Sequence, residues 1–142
     1  MNNPRPAAKR FLIAMALGLL FGLLCIALGA SHQPALASPY NPIFWTILTD
    51  RMLIGLVVAL AGAFTLHPIL GVRWLPCLRG ACLGAMVSLP LAAGSLSGSP
   101  GPDLSPWGIF IATLIVGAVY GLIIDLVATR FGGEGNALLG AP

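Results

Sequence analysis

Four long runs of apolar residues are separated by short polar stretches, and that pattern organises the chain. The runs cover 11–30, 43–66, 77–96 and 107–128. A hydrocarbon core about 30 Å thick takes about 20 largely apolar residues to cross as a helix. Each run has that length, and none shows the alternation of a barrel strand. The second run contains Asp50-Arg51. A helix begun after Arg51 would rise only about 22 Å by residue 66, so 43–49 must belong to it. Asn41-Pro42 and Ser105-Pro106 read as helix starts, with a capping side chain before a proline that loses no hydrogen bond. Trp45 and Trp107 then fall at the headgroup level, and Pro90 interrupts the third run. The prediction is an all-α, integral membrane four-helix bundle with four transmembrane helices.

Residues 1–10 form a basic N-terminal segment, 11–130 a single transmembrane domain, and 131–142 a flexible tail. The connection 94–105 is rich in Gly, Pro and Ser and is expected to be flexible. Basic residues mark the cytoplasmic side of a membrane protein. Arg5, Lys9 and Arg10 precede the first run, Arg73 and Arg79 flank the second connection, and Arg130 follows the fourth run. All six lie on one side, against Arg51 alone toward the other. Both termini are therefore expected in the cytoplasm, in a multi-pass protein of the plasma (inner) membrane. Basic residues, an apolar run and Ala35-Leu36-Ala37 resemble a cleavable signal peptide. An apolar stretch of 20 residues exceeds the usual 7–15 of a signal core, which favours an uncleaved anchor.

Composition agrees. The chain has 142 residues with 7 Lys+Arg and 4 Asp+Glu, so 8% are charged, against about 25% in soluble domains. The mean hydropathy is +0.96. A soluble enzyme, a disordered chain, a coiled coil and a secreted disulfide scaffold are all excluded by these values.

Small residues recur every fourth position in each run: Ala14, Gly18 and Gly22; Gly55, Ala59 and Ala63; Gly80, Gly84, Ser88 and Ala92; Thr113, Gly117 and Gly121. In a bilayer, helices associate where small residues let backbones approach, and Gly18/Gly22, Gly80/Gly84 and Gly117/Gly121 are GxxxG pairs. These stripes serve either to close one bundle or to meet other membrane helices.

Ionisable residues within a span are costly and mark candidate sites. Arg51 heads the stripe Gly55, Ala59, Ala63 and His67, so it should face protein, in the outer part of the hydrocarbon. Asp50 adjoins it but points about 100° away, which is a poor arrangement for pairing. Arg51 is then expected to snorkel to headgroups or to bind carbonyls at a neighbouring helix end; the alternatives are an anion-attracting or proton-coupled site with Asp50 and an intersubunit salt bridge. Asp125 continues the stripe Thr113, Gly117 and Gly121, and Arg79 lies at the same depth. An Asp125–Arg79 pair would fasten the last hairpin at its inner end.

Catalytic and cofactor chemistry is not suggested. His32 and His67 fall at opposite ends of the spans and cannot share a haem, and Cys25, Cys77 and Cys82 make no CxxC. A phosphate-binding glycine loop, a Ser-His-Asp set and a basic–aromatic array for nucleic acid are also missing from the sequence. No enzyme, cofactor, metal or nucleic-acid partner is expected. The partners are the lipid bilayer and either further copies of the chain or another membrane protein. The stripes favour an accessory or assembly component packing against other membrane helices. The alternative is a minimal oligomeric channel or transporter using Arg51, Asp50 and Asp125. Polar side chains along one mid-membrane stripe would favour it, but the middles carry mainly Gly, Ala, Leu and Val, with Ser88, Thr113 and Tyr120 as the only candidates, which tilts the expectation to the accessory role.

Overall fold

In a computed structural model the chain is helical, with four helices long and apolar enough to cross a membrane. The structure describes residues 6–67, 69, 71–97 and 105–139. The helices are α1 (Pro6–His32), α2 (Pro42–Ala61), α3 (Pro76–Ser95) and α4 (Pro106–Gly132), and α5 (Asn136–Leu139) is a single turn. A 3₁₀ turn, Pro34–Ala37, packs against the end of α1.

Local chemistry sets the helix starts. Asn41 Oδ1 accepts from the Ile43 N–H at 3.0 Å, and Ser105 Oγ accepts from the Gly108 N–H at 3.0 Å. Each cap is followed by proline in the first turn, where its missing donor is not needed. Pro90 lies inside α3, which continues through it to Ser95.

Several boundaries differ from the sequence expectation. Helix α1 starts at Pro6, so the second half of the basic segment is helical and Arg10 is buried. Helix α2 stops at Ala61 and not at 66, which removes Ala63 and His67 from its stripe. The chain then turns through a narrow loop in which His67 N–H donates to Val72 O and Trp74 N–H to Thr65 O. Helix α4 runs to Gly132 and passes into a strap at Gly133 and Gly135, both at positive φ. The Gly135 N–H donates to Gly62 O at 2.8 Å, so this part of the expected tail is fastened to the end of α2. Residues 140–142, Arg5 and most of the Gly/Pro/Ser-rich connection lie outside the described residues.

The bundle is built from two close helix pairs. Between α1 and α2, a Cβ added to Gly18 would lie 2.7 Å from Arg51 O, and one added to Gly55 would lie 2.5 Å from Ala14 O. At Gly22 the obstacle is Leu48, 2.9 Å away. Between α3 and α4, Gly80 and Gly84 lie directly against the backbone of Gly121 and Gly117. All seven glycines of the stripes are thus used inside this one chain. The pairs join through Ala14, Ile54, Val58, Ala59, Ile124 and Ala128, a small apolar core. The outward faces carry large side chains such as Leu12, Leu20, Leu28, Leu60, Ile111 and Ile115. α1 starts and α4 stops at the same end of the bundle, here named the basal end.

Candidate functional site

Two clusters of charge lie inside the bundle. The basal cluster centres on Asp125 of α4, which is fully buried. Arg79, in the first turn of α3, meets it through two parallel bonds, Nε to Oδ2 at 2.8 Å and Nη2 to Oδ1 at 3.0 Å. Arg10 of α1 donates from Nη2 to the same Oδ1. Thr129, one turn on from Asp125, adds its hydroxyl to Oδ1 at 3.2 Å.

Arg10 also acts on α2. A helix ends with carbonyls that have no partner within it. Arg10 donates from Nε to Ala59 O at 3.2 Å and from Nη2 to Val58 O at 3.0 Å, in the last turn of α2. Its Nη1 donates to Thr129 Oγ1 and Gly133 O, both at 2.9 Å, so all five N–H groups are used. A cation there also suits the negative end of the helix dipole. Glycine makes room for it, because Gly62 lies against its guanidinium and Gly132 against its Cα. Glu134 on the strap accepts from Arg79 Nη2 at 3.3 Å and lies 3.9 Å from the exposed Arg73. Two guanidinium groups and two carboxylates therefore bind all four helices and the strap together at one level.

The second cluster lies higher. Arg51 is the tenth of the 20 residues of α2, so the shorter helix moves it from the expected outer position to the middle. Asp50 and Arg51 do pair, against the expectation from their 100° separation: Arg51 Nη1 lies 2.9 Å from Asp50 Oδ2. The long arginine side chain reaches around the helix, and Ser88 of α3 fixes both partners. Ser88 Oγ accepts from Arg51 Nη1 at 2.9 Å and donates to Asp50 Oδ2 at 3.0 Å. The guanidinium is 4% exposed by residue and points inward, so it does not snorkel to an end of the bundle. Tyr120 of α4 lies 5.3 Å from it, ring centroid to Cζ, and stacks on Phe21 of α1 at 4.3 Å. Cys25 of α1 lies 3.5 Å from the Tyr120 hydroxyl.

Arg51 is poorly satisfied for a buried cation. Its Nε is buried without a hydrogen-bond partner. Its Nη2 makes no hydrogen bond among the described residues, and Asp50 Oδ1 accepts none. Ile54, Val58 and Ile124, all fully buried, fill the two turns between the clusters with apolar packing.

The site residues named from the sequence thus fall into two groups, Asp50 with Arg51 and Arg79 with Asp125. Sequence reasoning missed Arg10, Thr129 and Glu134. Arg10 had a readable signal: stepping by four from it gives Ala14, Gly18, Gly22 and Ile26, the buried face of α1. No family model, curated protein or solved structure matches this chain.

Proposed function

We propose that this chain is a multi-pass membrane protein, its basal end at the cytoplasmic face of the plasma (inner) membrane, that acts as a minimal oligomeric carrier through Asp50 and Arg51. One observation carries the reading: a charged pair sits halfway along the bundle with an arginine edge left unpartnered. Buried polar groups are normally satisfied, and a charge at the bilayer centre costs roughly 2.5–3.5 kcal/mol or more even with relief. Packing alone does not call for such a pair, since a buried ion pair is weak support for stability. Ser88 and Tyr120, two of the three mid-membrane polar residues picked out in the sequence, both meet Arg51. The membrane assignment draws on the four apolar helices and their large outward side chains. The orientation draws on the six basic residues of the cytoplasmic segments.

An accessory or assembly role is the second reading. The glycine stripes no longer favour it, because they are occupied within the chain. Its support is the outer surface, where exposed leucine, isoleucine and other large apolar side chains could be covered by partner helices.

Native mass spectrometry of the full chain in mild detergent, followed by reconstitution in dye-loaded vesicles, separates the two. A defined homo-oligomer whose vesicles pass a small ion, with loss of flux in Arg51→Lys, supports the carrier. Capture of a different membrane protein at fixed stoichiometry, with no flux dependent on Arg51, would replace it by the accessory role.

A further inference from the structure

The two buried arginines of α2 and α3 use their guanidinium groups differently, and the difference indicates a ligand. An arginine offers a side edge, Nε with Nη2, whose two parallel N–H groups match the two oxygens of a carboxylate. In Arg79 that edge is filled by Asp125, at 2.8 and 3.0 Å. In Arg51 the same edge is empty. Asp50 and Ser88 both meet Nη1, Nε is buried with no partner, and Nη2 makes no hydrogen bond among the described residues. The Phe21–Tyr120 stack lies beside the guanidinium and offers it a ring face in place of an oxygen.

We propose that the Nε/Nη2 edge of Arg51 is the binding site of a small monocarboxylate, which enters together with one proton that resides on Asp50. The inference rests on the carrier reading of this site. Charge balance selects the ligand class. The empty site holds one carboxylate and one guanidinium and is neutral. An added monoanion would leave one negative charge uncompensated in a medium that solvates it poorly. A proton taken from water onto Asp50 Oδ1, the oxygen without a hydrogen bond, restores neutrality. The loaded site then holds the ligand anion, the Arg51 cation and a neutral Asp50. A dianion such as sulfate would need a second proton, for which Asp50 has no place. The other groups facing the pair are Ser88 from α3, Tyr120 from α4 and, on the Tyr120 hydroxyl, Cys25 from α1. The basal carboxylate, Asp125, is separated by the Ile54, Val58 and Ile124 packing and is held by two arginines.

Nitrogen-15 NMR of the full-length protein in lipid nanodiscs tests the proposal, with pyruvate as the probe. The Arg51 Nε–H signal is assigned by its absence in Arg51→Lys. Pyruvate should shift it saturably, and sulfate should not. The affinity should rise about tenfold per unit fall in pH where one proton is taken up per anion. Asp50→Asn should bind pyruvate with no such pH dependence, because the site already lacks the negative charge. Arg51→Lys, which keeps the charge but loses the two-donor edge, should bind at least tenfold more weakly. If that variant does not fold, Arg51→Gln supplies the assignment, and the wild-type titration and Asp50→Asn decide. An unmoved Arg51 signal in pyruvate, an equal response to sulfate, or pH-independent binding by the wild type would each overturn the proposal. Failure here alongside Arg51-dependent flux of a different ion would overturn the monocarboxylate class and leave the carrier standing. Failure of both would remove the carrier as well.

Discussion

Asp125 holds the balance of charge at the basal end, because Arg10 and Arg79 both donate to it and it is fully buried. Replacing it by Asn keeps the shape and removes the charge, leaving two buried guanidinium groups without their main counter-ion. Breaking a buried pair on one side costs about 3–5 kcal/mol. Asp125→Asn should therefore lower stability by about that amount, measured by urea unfolding in detergent micelles. A loss below about 1 kcal/mol would mean that the three side chains are not held as a unit. Glu134→Gln is the contrast, since its side chain is 22% exposed and lies at the edge of the cluster. Screening reduces such pairs to about 1 kcal/mol or less, so this substitution should do little. The same residue scale shows why part of the site was hidden in the sequence. A span read from its first apolar residue begins at Phe11 and leaves Arg10 in water, whereas α1 begins one turn earlier and carries Arg10 on its buried stripe. The backbone angle alone sets Asp50 and Arg51 apart. The length of arginine and the position of Ser88 decide the matter, and the sequence shows neither across helices.

At the scale of elements, packing follows from where side chains are absent. Gly84 lies so close to Gly117 O that an added methyl group meets backbone, which cannot move aside as a flexible side chain can. Gly84→Ala should destabilise the α3–α4 pair by about 1–3 kcal/mol, the usual cost of overpacking. Gly94, on the same helix, has nothing within 4 Å of its added Cβ. Gly94→Ala should be neutral or slightly stabilising, since alanine is the better helix former by about 1 kcal/mol. Thermal melting of the two variants side by side checks both statements. Equal losses would place the close α3–α4 contact elsewhere. The four long helices were legible because twenty apolar residues in a row admit few structures. Their ends were less so. Helix α2 stops at Ala61 although apolar residues continue to Leu66, because the chain turns back on itself at Thr65–Trp74 and Arg10 takes up the last carbonyls. A hydropathy run registers neither event. The strap was unreadable for the same reason, since Glu134 and Gly135 are held by Arg79 and Gly62, distant in sequence.

Over the whole molecule, the proposed function divides holding and binding between the two clusters. In the basal cluster Arg10 uses every donor and Asp125 is gripped by two arginines, which suits a fastening. The mid-bundle cluster keeps donors and an acceptor free, which suits a ligand. That division depends on the membrane lying across the bundle with Arg51 near its centre. About 20 helical residues just span the hydrocarbon, and α2 has 20, so there is little freedom to slide it. In the proposed orientation its two ends lie at opposite faces, with the basal one at the cytoplasm. Cysteine labelling in a background lacking Cys25, Cys77 and Cys82 tests this directly. In intact cells, a membrane-impermeant thiol reagent should modify Ser31→Cys, exposed beside the outer end of α1, and leave Arg73→Cys untouched. After lysis, Arg73→Cys should react as well, because that side chain is 76% exposed. The reverse pattern would invert the orientation and place the strap outside the cell. Equal labelling of both in intact cells would mean that α1 and α2 do not cross as a pair, and Arg51 would lose its place at mid-membrane along with the carrier reading built on it.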